Sequence, residues 1–171
     1  MRNDAATAAV ADQLQDLARL IRANLDMSLC MTVTLAEELA FVERYVAIEQ
    51  RMMGPDFHFK IEASPQVSLN EVRIPSMFLQ ILTENALVHG LKGWDGTKRL
   101  TLAVQPTPGA TTITVTDNGR GFDIRSARPK KRTGLSIITQ TITVMNEHNK
   151  QKMRFNLRNP VSYTHLTLPT T

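Results

Sequence analysis

The chain has 171 residues, 42% of them hydrophobic, a net charge of +4 and one cysteine. That size and apolar content allow one domain with a helical appendage and exclude a disordered tail or a repeat array. Cys30 has no second thiol for a disulfide, a metal cluster or a redox pair, which fits a reducing compartment. No apolar run approaches the roughly 18 residues of a membrane-spanning helix, and the N-terminus lacks the apolar core of a secretory signal. The basic stretch Arg128-Pro-Lys-Lys-Arg132 lies in a Gly- and Pro-punctuated segment. It reads as solvated loop, so no nucleic-acid partner is expected.

The first predicted element is a helix over residues 4 to 29, where Val10, Leu14, Leu17, Ile21 and Leu25 recur at helical spacing with no Gly or Pro between them. A second helix starts at Thr34, whose hydroxyl caps the first turn while Glu37 reaches back, and it ends at Gly54-Pro55. Leu35, Leu39, Val42 and Val46 form its stripe, with a second apolar edge at Phe41, Tyr45 and Ile48. Two such amphipathic helices need a partner to bury both stripes. Either a second copy forms a helical bundle with them, or both helices pack on the domain that follows.

After Pro55 the period changes. Phe57 to Ala63 alternates apolar and polar residues, as a half-buried strand does. Pro75 suits a first helical position and Gly90 a helix stop, with Phe78, Ile81, Leu82, Asn85 and His89 on one face between them. Strands over Arg99 to Gln105 and Thr111 to Asp117 are joined by Pro106-Thr-Pro-Gly109, an antiparallel hairpin. A loop from Gly119 to Arg132, a helix from Gly134 to His148 and a strand from Met153 to Asn159 follow. The order predicts a two-layer α/β sandwich, a mixed sheet covered by helices on one face. The final residues 161–171, VSYTHLTLPTT, carry no charge and break the composition abruptly. They match the read-through of a transposon-type sequencing adapter and are set aside as foreign sequence, which leaves a domain expected to lack its last strand.

Two polar residues stand where the patterns ask for apolar ones. Asn85 interrupts the inner stripe of its helix, and Asp117 shares the strand face of Ile113 and Val115. Buried amides and carboxylates are costly unless bonded, so both should line a polar cavity between helix and sheet. Taken singly, Asp117 would open an Asp-Asn-Gly turn and Asn85 would bond nearby backbone. Gly119 and Gly121 follow Asp117 and permit positive φ and close backbone approach to a ligand. Thr133-Gly-Leu-Ser136 opens the next helix, whose free amides favour an anion such as phosphate.

These motifs carry a resemblance. Glu84-Asn-Ala-Leu-Val-His-Gly90 resembles the N box, Asp117-Asn-Gly-Arg-Gly121 the G1 box and Thr133-Gly-Leu-Ser136 the G2 box of the GHKL (Bergerat-fold) ATPases and histidine kinases, in matching order and spacing. Thr34-Leu-Ala-Glu-Glu-Leu and Val42-Glu-Arg-Tyr-Val-Ala-Ile-Glu49 resemble the segment before the catalytic domain in sensor histidine kinases of the LytS/YehU type. The likeness spans residues 10 to 160.

The resemblance implies an ATP-binding catalytic domain over 55–160, preceded over 1–54 by part of a helical dimerisation and phosphotransfer segment. Asp117 would accept the adenine amine. Gly119 and Gly121 would make room for the base, and Asn85 would hold Mg²⁺. Glu84 would assist deprotonation of the attacking histidine, while Thr133, Gly134 and Leu135 would close over the phosphates. The reaction it implies moves the γ-phosphate of ATP to a histidine and then to a cytoplasmic response regulator. It also implies a homodimer through the N-terminal helices and a cytoplasmic domain of a bacterial inner-membrane protein, attached through upstream segments. The phosphoacceptor is not among His58, His89, His148 and His165, so this chain is expected to bind ATP without phosphorylating itself. Arg132 stands where the G2 box usually has its first glycine, which keeps open a non-catalytic nucleotide-binding or dimerisation module. A GHKL anti-sigma-type serine kinase would have no helical hairpin upstream.

Overall fold

A computed structural model describes residues 14–15, 17–22, 24–27, 29–120, 134–148, 152–158 and 163–169. Helix α1 comprises the described residues between 14 and 27, and beyond it Cys30 N donates to Met27 O at 3.1 Å. Its expected stripe is the exposed face: Leu14, Leu17, Ile21 and Leu25 are 62, 44, 53 and 60% exposed. Val10 lies outside the described residues.

Helix α2, Leu35–Met53, begins as its sequence dictates. Glu37 N donates to Thr34 Oγ1 at 3.2 Å and Thr34 N donates to Glu37 Oε2 at 2.7 Å, the reciprocal capping box, and Gly54 ends the helix at φ 88. Leu35, Leu39, Val42 and Val46 are buried in the main core. Phe41 packs instead with Met27 and Val33 in a small cluster under α1, with Tyr45 against it.

Two short strands were not foreseen. Strand β1, Thr32–Thr34, pairs antiparallel with β3, Arg73–Pro75, in the register Val33 to Ile74. Pro75 therefore closes a strand and does not open a helix. The proline ring disfavours helical backbone at Ile74, which stays extended and fully buried. Helix α3 starts later, at Phe78, after Met77 in left-handed conformation (φ 63), and runs to Asn85. It continues as a π-helical segment, Ala86–Leu91, so Gly90 lies inside the widened turn and the chain leaves the helix at Lys92 and Gly93 (φ 73).

The main sheet has the order β2 (Phe57–Ala63), β4 (Lys98–Thr107), β5 (Ala110–Asp117), β7 (Tyr163–Pro169), β6 (Arg154–Arg158). Strand β2, Phe57–Ala63, runs parallel to β4, Lys98–Thr107, and the other pairs are antiparallel. Strand β5, Ala110–Asp117, follows β4 through a Pro108-Gly109 turn with Gly109 at φ 69, a conformation glycine adopts without strain. The inner face carries Leu100, Leu102 and Val104 of β4 and Ile113 and Val115 of β5, all buried. Helix α4, Gly134–His148, adds Ile138 and Ile142 to this core, and Phe78 meets Phe155 of β6 (Arg154–Arg158) edge to face at 5.9 Å. The architecture is the expected two-layer α/β sandwich, a mixed sheet covered by helices.

Residues set aside on composition contribute strand β7, Tyr163–Pro169, between β5 and β6, paired with both. Leu166 and Leu168, either side of Thr167, point inward at 1% and 3% exposure. Period-two alternation suits any segment to a half-buried strand, whatever its origin, and the sheet described here is closed at that position.

Candidate functional site

Asp117 ends β5 on the inner face, opposite Leu100, and is 2% exposed. Its Oδ1 accepts from Gly119 N at 3.0 Å, so the carboxylate closes its own turn. The next side chain fastens that turn to β4: Asn118 Oδ1 accepts from Arg99 N at 2.6 Å and Asn118 Nδ2 donates to Thr97 O at 2.7 Å. Asn118 is a structural member of the site that the sequence reading passed over. An Asp-Asn-Gly string signals a turn without revealing which strand the asparagine grips.

The π-helical segment brings the end of the N box to this turn. Gly90 O accepts from Arg120 N at 3.2 Å, and Arg120 Nη2 donates to Gly93 O at 2.7 Å. A Cβ on Gly90 would lie 2.5 Å from Asp117 Oδ1, and a Cβ on Gly119 would run into the Gly90 carbonyl. Gly119 is not in the left-handed region. Its lack of a side chain serves space rather than φ, and the approaching group is another stretch of backbone. Gly90, read from sequence as a helix stop, is instead what allows the helix to touch Asp117.

Asn85 is half-buried and donates from Nδ2 to Ile81 O at 2.7 Å, while Glu84 and His89 are exposed. Gly134, the first residue of α4, packs on the same helix: a Cβ there would lie 2.5 Å from Ile81 Cγ2 and 3.5 Å from Asn85 Nδ2. Asn85 and Asp117 thus each bond local backbone, the plainer reading of either alone, and it is the glycines that draw the three boxes together. Gly121, Arg132 and Thr133 lie outside the described residues, as does the side chain of Leu135. Among the described residues no group of three or more His, Cys, Asp or Glu could hold a metal. A cation here would depend on Asn85 and on oxygens brought by a ligand.

The family model described as histidine kinase matches residues 1–57. The sensor protein LytS of Staphylococcus haemolyticus is 36% identical over 110 residues, 64% of this chain and 18% of that protein. The sensor histidine kinase YpdA of Escherichia coli is 27% identical over 143 residues, 82% of this chain and 24% of that protein. The histidine kinase domain of the Erythrobacter litoralis EL346 blue-light activated histidine kinase superposes with a TM-score of 0.60 at 15% identity, over 92% of this chain and 74% of that one. In sequence the chain is similar to LytS-type sensor histidine kinases, and in fold to the catalytic domains of histidine kinases. It spans about a fifth of the length of these curated relatives. The family match ends at Phe57, where β2 begins, so the three motifs that resemble the N, G1 and G2 boxes all lie beyond it. The catalytic domain of the histidine kinase ThkA has the same fold, with a TM-score of 0.53 at 13% identity over 81% of this chain and 93% of that one.

Proposed function

We propose that this chain is the ATP-binding catalytic region of a two-component sensor kinase, directing the γ-phosphoryl group of ATP to a histidine carried upstream and thence to a response regulator. The observation that carries the reading is the convergence at one end of the sheet: Gly90 against Asp117 and Gly119, and Gly134 against Asn85. Asp117, buried beside a turn too tight for side chains, is suited to accept the exocyclic amine of adenine, a contact that guanine cannot reciprocate. The residues also fit a magnesium ion. With Asn85 Nδ2 committed to Ile81 O, the amide oxygen is the atom left to a hard cation, and Mg²⁺ is commonly held by few side chains together with substrate phosphates. Bound there, the ion would neutralise phosphate charge and orient the transferred group. The amides at the start of α4, with Thr133, Gly134 and Leu135, would hold the phosphates, Gly121 would line the base, and exposed Glu84 would take the proton of the attacking histidine.

A homodimer through α1 and α2 accounts for the exposed Leu14, Leu17, Ile21 and Leu25. ThkA, matched at a TM-score of 0.51 and 13% identity over 95% of this chain and 50% of that one, has been solved in complex with the response regulator protein TrrA. A cytoplasmic response regulator is the corresponding partner here. Among the described residues no helix is long and apolar enough to cross a membrane, so attachment to an inner membrane would come from segments upstream.

Titration calorimetry of the full chain with Mg-ATP, Mg-GTP and the Asp117→Ala variant tests the site. Binding of Mg-ATP by the unmutated chain, weaker binding of Mg-GTP, and loss of Mg-ATP binding in the variant are expected. Equal binding by both proteins, or none by either, would sink the assignment. A chain that takes up Mg-ATP but fails to phosphorylate an appended histidine segment would instead be a non-catalytic module.

A further inference from the structure

Helix α3 has no cap of its own. Met77 precedes it in left-handed conformation and offers no side-chain bond to the first turn, yet the first amides of a helix need acceptors. They find them on another helix. Glu38 of α2 accepts from Met77 N through Oε1 at 2.5 Å and from Leu79 N through Oε2 at 2.9 Å, with the carboxylate fully buried. A side chain this distant in sequence is an unusual cap, because local Ser, Thr, Asp or Asn normally serve. Among the described residues Met77 is the one non-glycine with positive φ, a conformation that persists only where its surroundings enforce it.

Other bonds tie the same junction to α1 and to Met31 beyond it. Ser76 Oγ donates to Met27 O at 2.6 Å, Ser76 N donates to Met31 O at 3.2 Å, and Asn24 Nδ2 donates to Gln80 Oε1 at 3.0 Å. Further along α2, on the face of Glu38 and Val42, half-buried Tyr45 has its phenol pushed up to about 12 by burial, then by the charge of Glu49, then by that of Glu84. Helix α2 also packs on α3 through the core, where its Leu35, Leu39, Val42 and Val46 cluster with Phe78, Leu79 and Leu82. With eight residues α3 is a rod of about 12 Å, too short to absorb a shift at one end before it reaches the other.

We propose that Glu38 is a positioning residue: by holding the first turn of α3 it sets where Glu84 and Asn85 stand relative to Asp117, and so couples the helical segment to the nucleotide site. The coupling rests on the nucleotide reading above, whereas the tether does not. The test compares the full chain with Glu38→Ala and Glu38→Gln, using Leu39→Ala, a core variant on the same helix, as a control for general destabilisation. Two measurements are made: Mg-ATP affinity by calorimetry, and the amide resonances of Glu84, Asn85 and Gly134 in ¹⁵N spectra.

Glu38→Ala is expected to move those resonances and weaken Mg-ATP about tenfold, as small misplacements at a site do. Glu38→Gln, which keeps one acceptor, is expected to fall between it and the unmutated chain. Leu39→Ala should lower the melting temperature with less effect on affinity. Unmoved resonances with unchanged affinity in folded Glu38→Ala would overturn the proposal, as would equal affinity losses in the Glu38 and Leu39 variants. If Glu38→Ala does not fold, Glu38→Gln decides by the same measures. If the unmutated chain takes up no Mg-ATP, the nucleotide reading fails, and the resonances alone still decide whether Glu38 holds Glu84 and Asn85 in place.

Discussion

Gly90 and Gly119 meet backbone to backbone, the carbonyl of one filling the space where a side chain of the other would stand. The contact fixes the end of the N box against the turn that carries Asp117. Gly119→Ala must push the Gly90 carbonyl away, at a cost of about 1–3 kcal/mol, the range for overpacking a tight site. Gly90→Ala should cost less stability and more binding, because its methyl would meet the Asp117 carboxylate, at 2.5 Å from Oδ1, rather than backbone. Urea unfolding and Mg-ATP calorimetry on both variants check this. Undiminished stability in Gly119→Ala would mean that the turn is looser than described.

This contact also marks where the sequence stopped being informative. The parity of β5 placed Asp117 on the inner face, because period two is a local property of a strand. The capping box at Thr34 and Glu37 was legible because its partners are three residues apart. By contrast, the Asn118 grip on Thr97 and Arg99 and the Glu38 grip on Met77 and Leu79 span about 20 and 40 residues. Such bonds follow from how elements pack, and no spacing rule encodes them. A signal for Glu38 did exist, since it falls between Leu35 and Leu39 on the buried stripe of α2, the same anomaly that drew attention to Asn85. Pro75 misled for a related reason: the proline permits a helix start, but Ile74 before it had a strand partner, Val33, that lay far away in sequence.

Burial raises the Glu38 carboxyl to about 7, against the backbone amides of Leu79, Met77, Gln80 and Phe78, which favour its charged form. The sign follows from linkage. The native chain keeps this proton where the unfolded chain has already lost it, so native stability falls as pH rises from the ordinary carboxylate value of 4.5 to about 7, and this contribution levels off above. Glu38→Gln removes the titration. Urea midpoints followed across that window should decline less in the variant than in the unmutated chain, and parallel profiles would contradict the assignment.

The exposed stripe of α1 gives the dimer its own test. Leu17 and Ile21 are 44% and 53% exposed, and a bundle that buried them would gain roughly 25 cal/mol for each Å² of apolar surface covered. Replacing both with Asp should leave the melting temperature of the sheet domain nearly unchanged, since neither belongs to its core. In sedimentation the unmutated chain should run as a dimer and the double variant as a monomer. Identical sedimentation of the two would remove α1 from the interface.

Strand β7 makes the sharpest demand on the fold. It pairs with β5 on one side and β6 on the other, and Leu166 lies opposite both Ile113 and Phe155. Removing residues 161–171 would leave the inner edge of β5 unpaired and detach β6 from the sheet. Leu166→Ala, milder, should cost about 2–5 kcal/mol, as truncation of a fully buried leucine does. The adapter reading of these residues concerns their origin and the strand concerns their packing, so the two can be separated. Loss of cooperative unfolding on truncation, with a large loss in Leu166→Ala, would establish that the segment completes the sheet. Unchanged unfolding in both would mean that β5 ends the folded part of the sheet, and that a different closing strand is needed beside it.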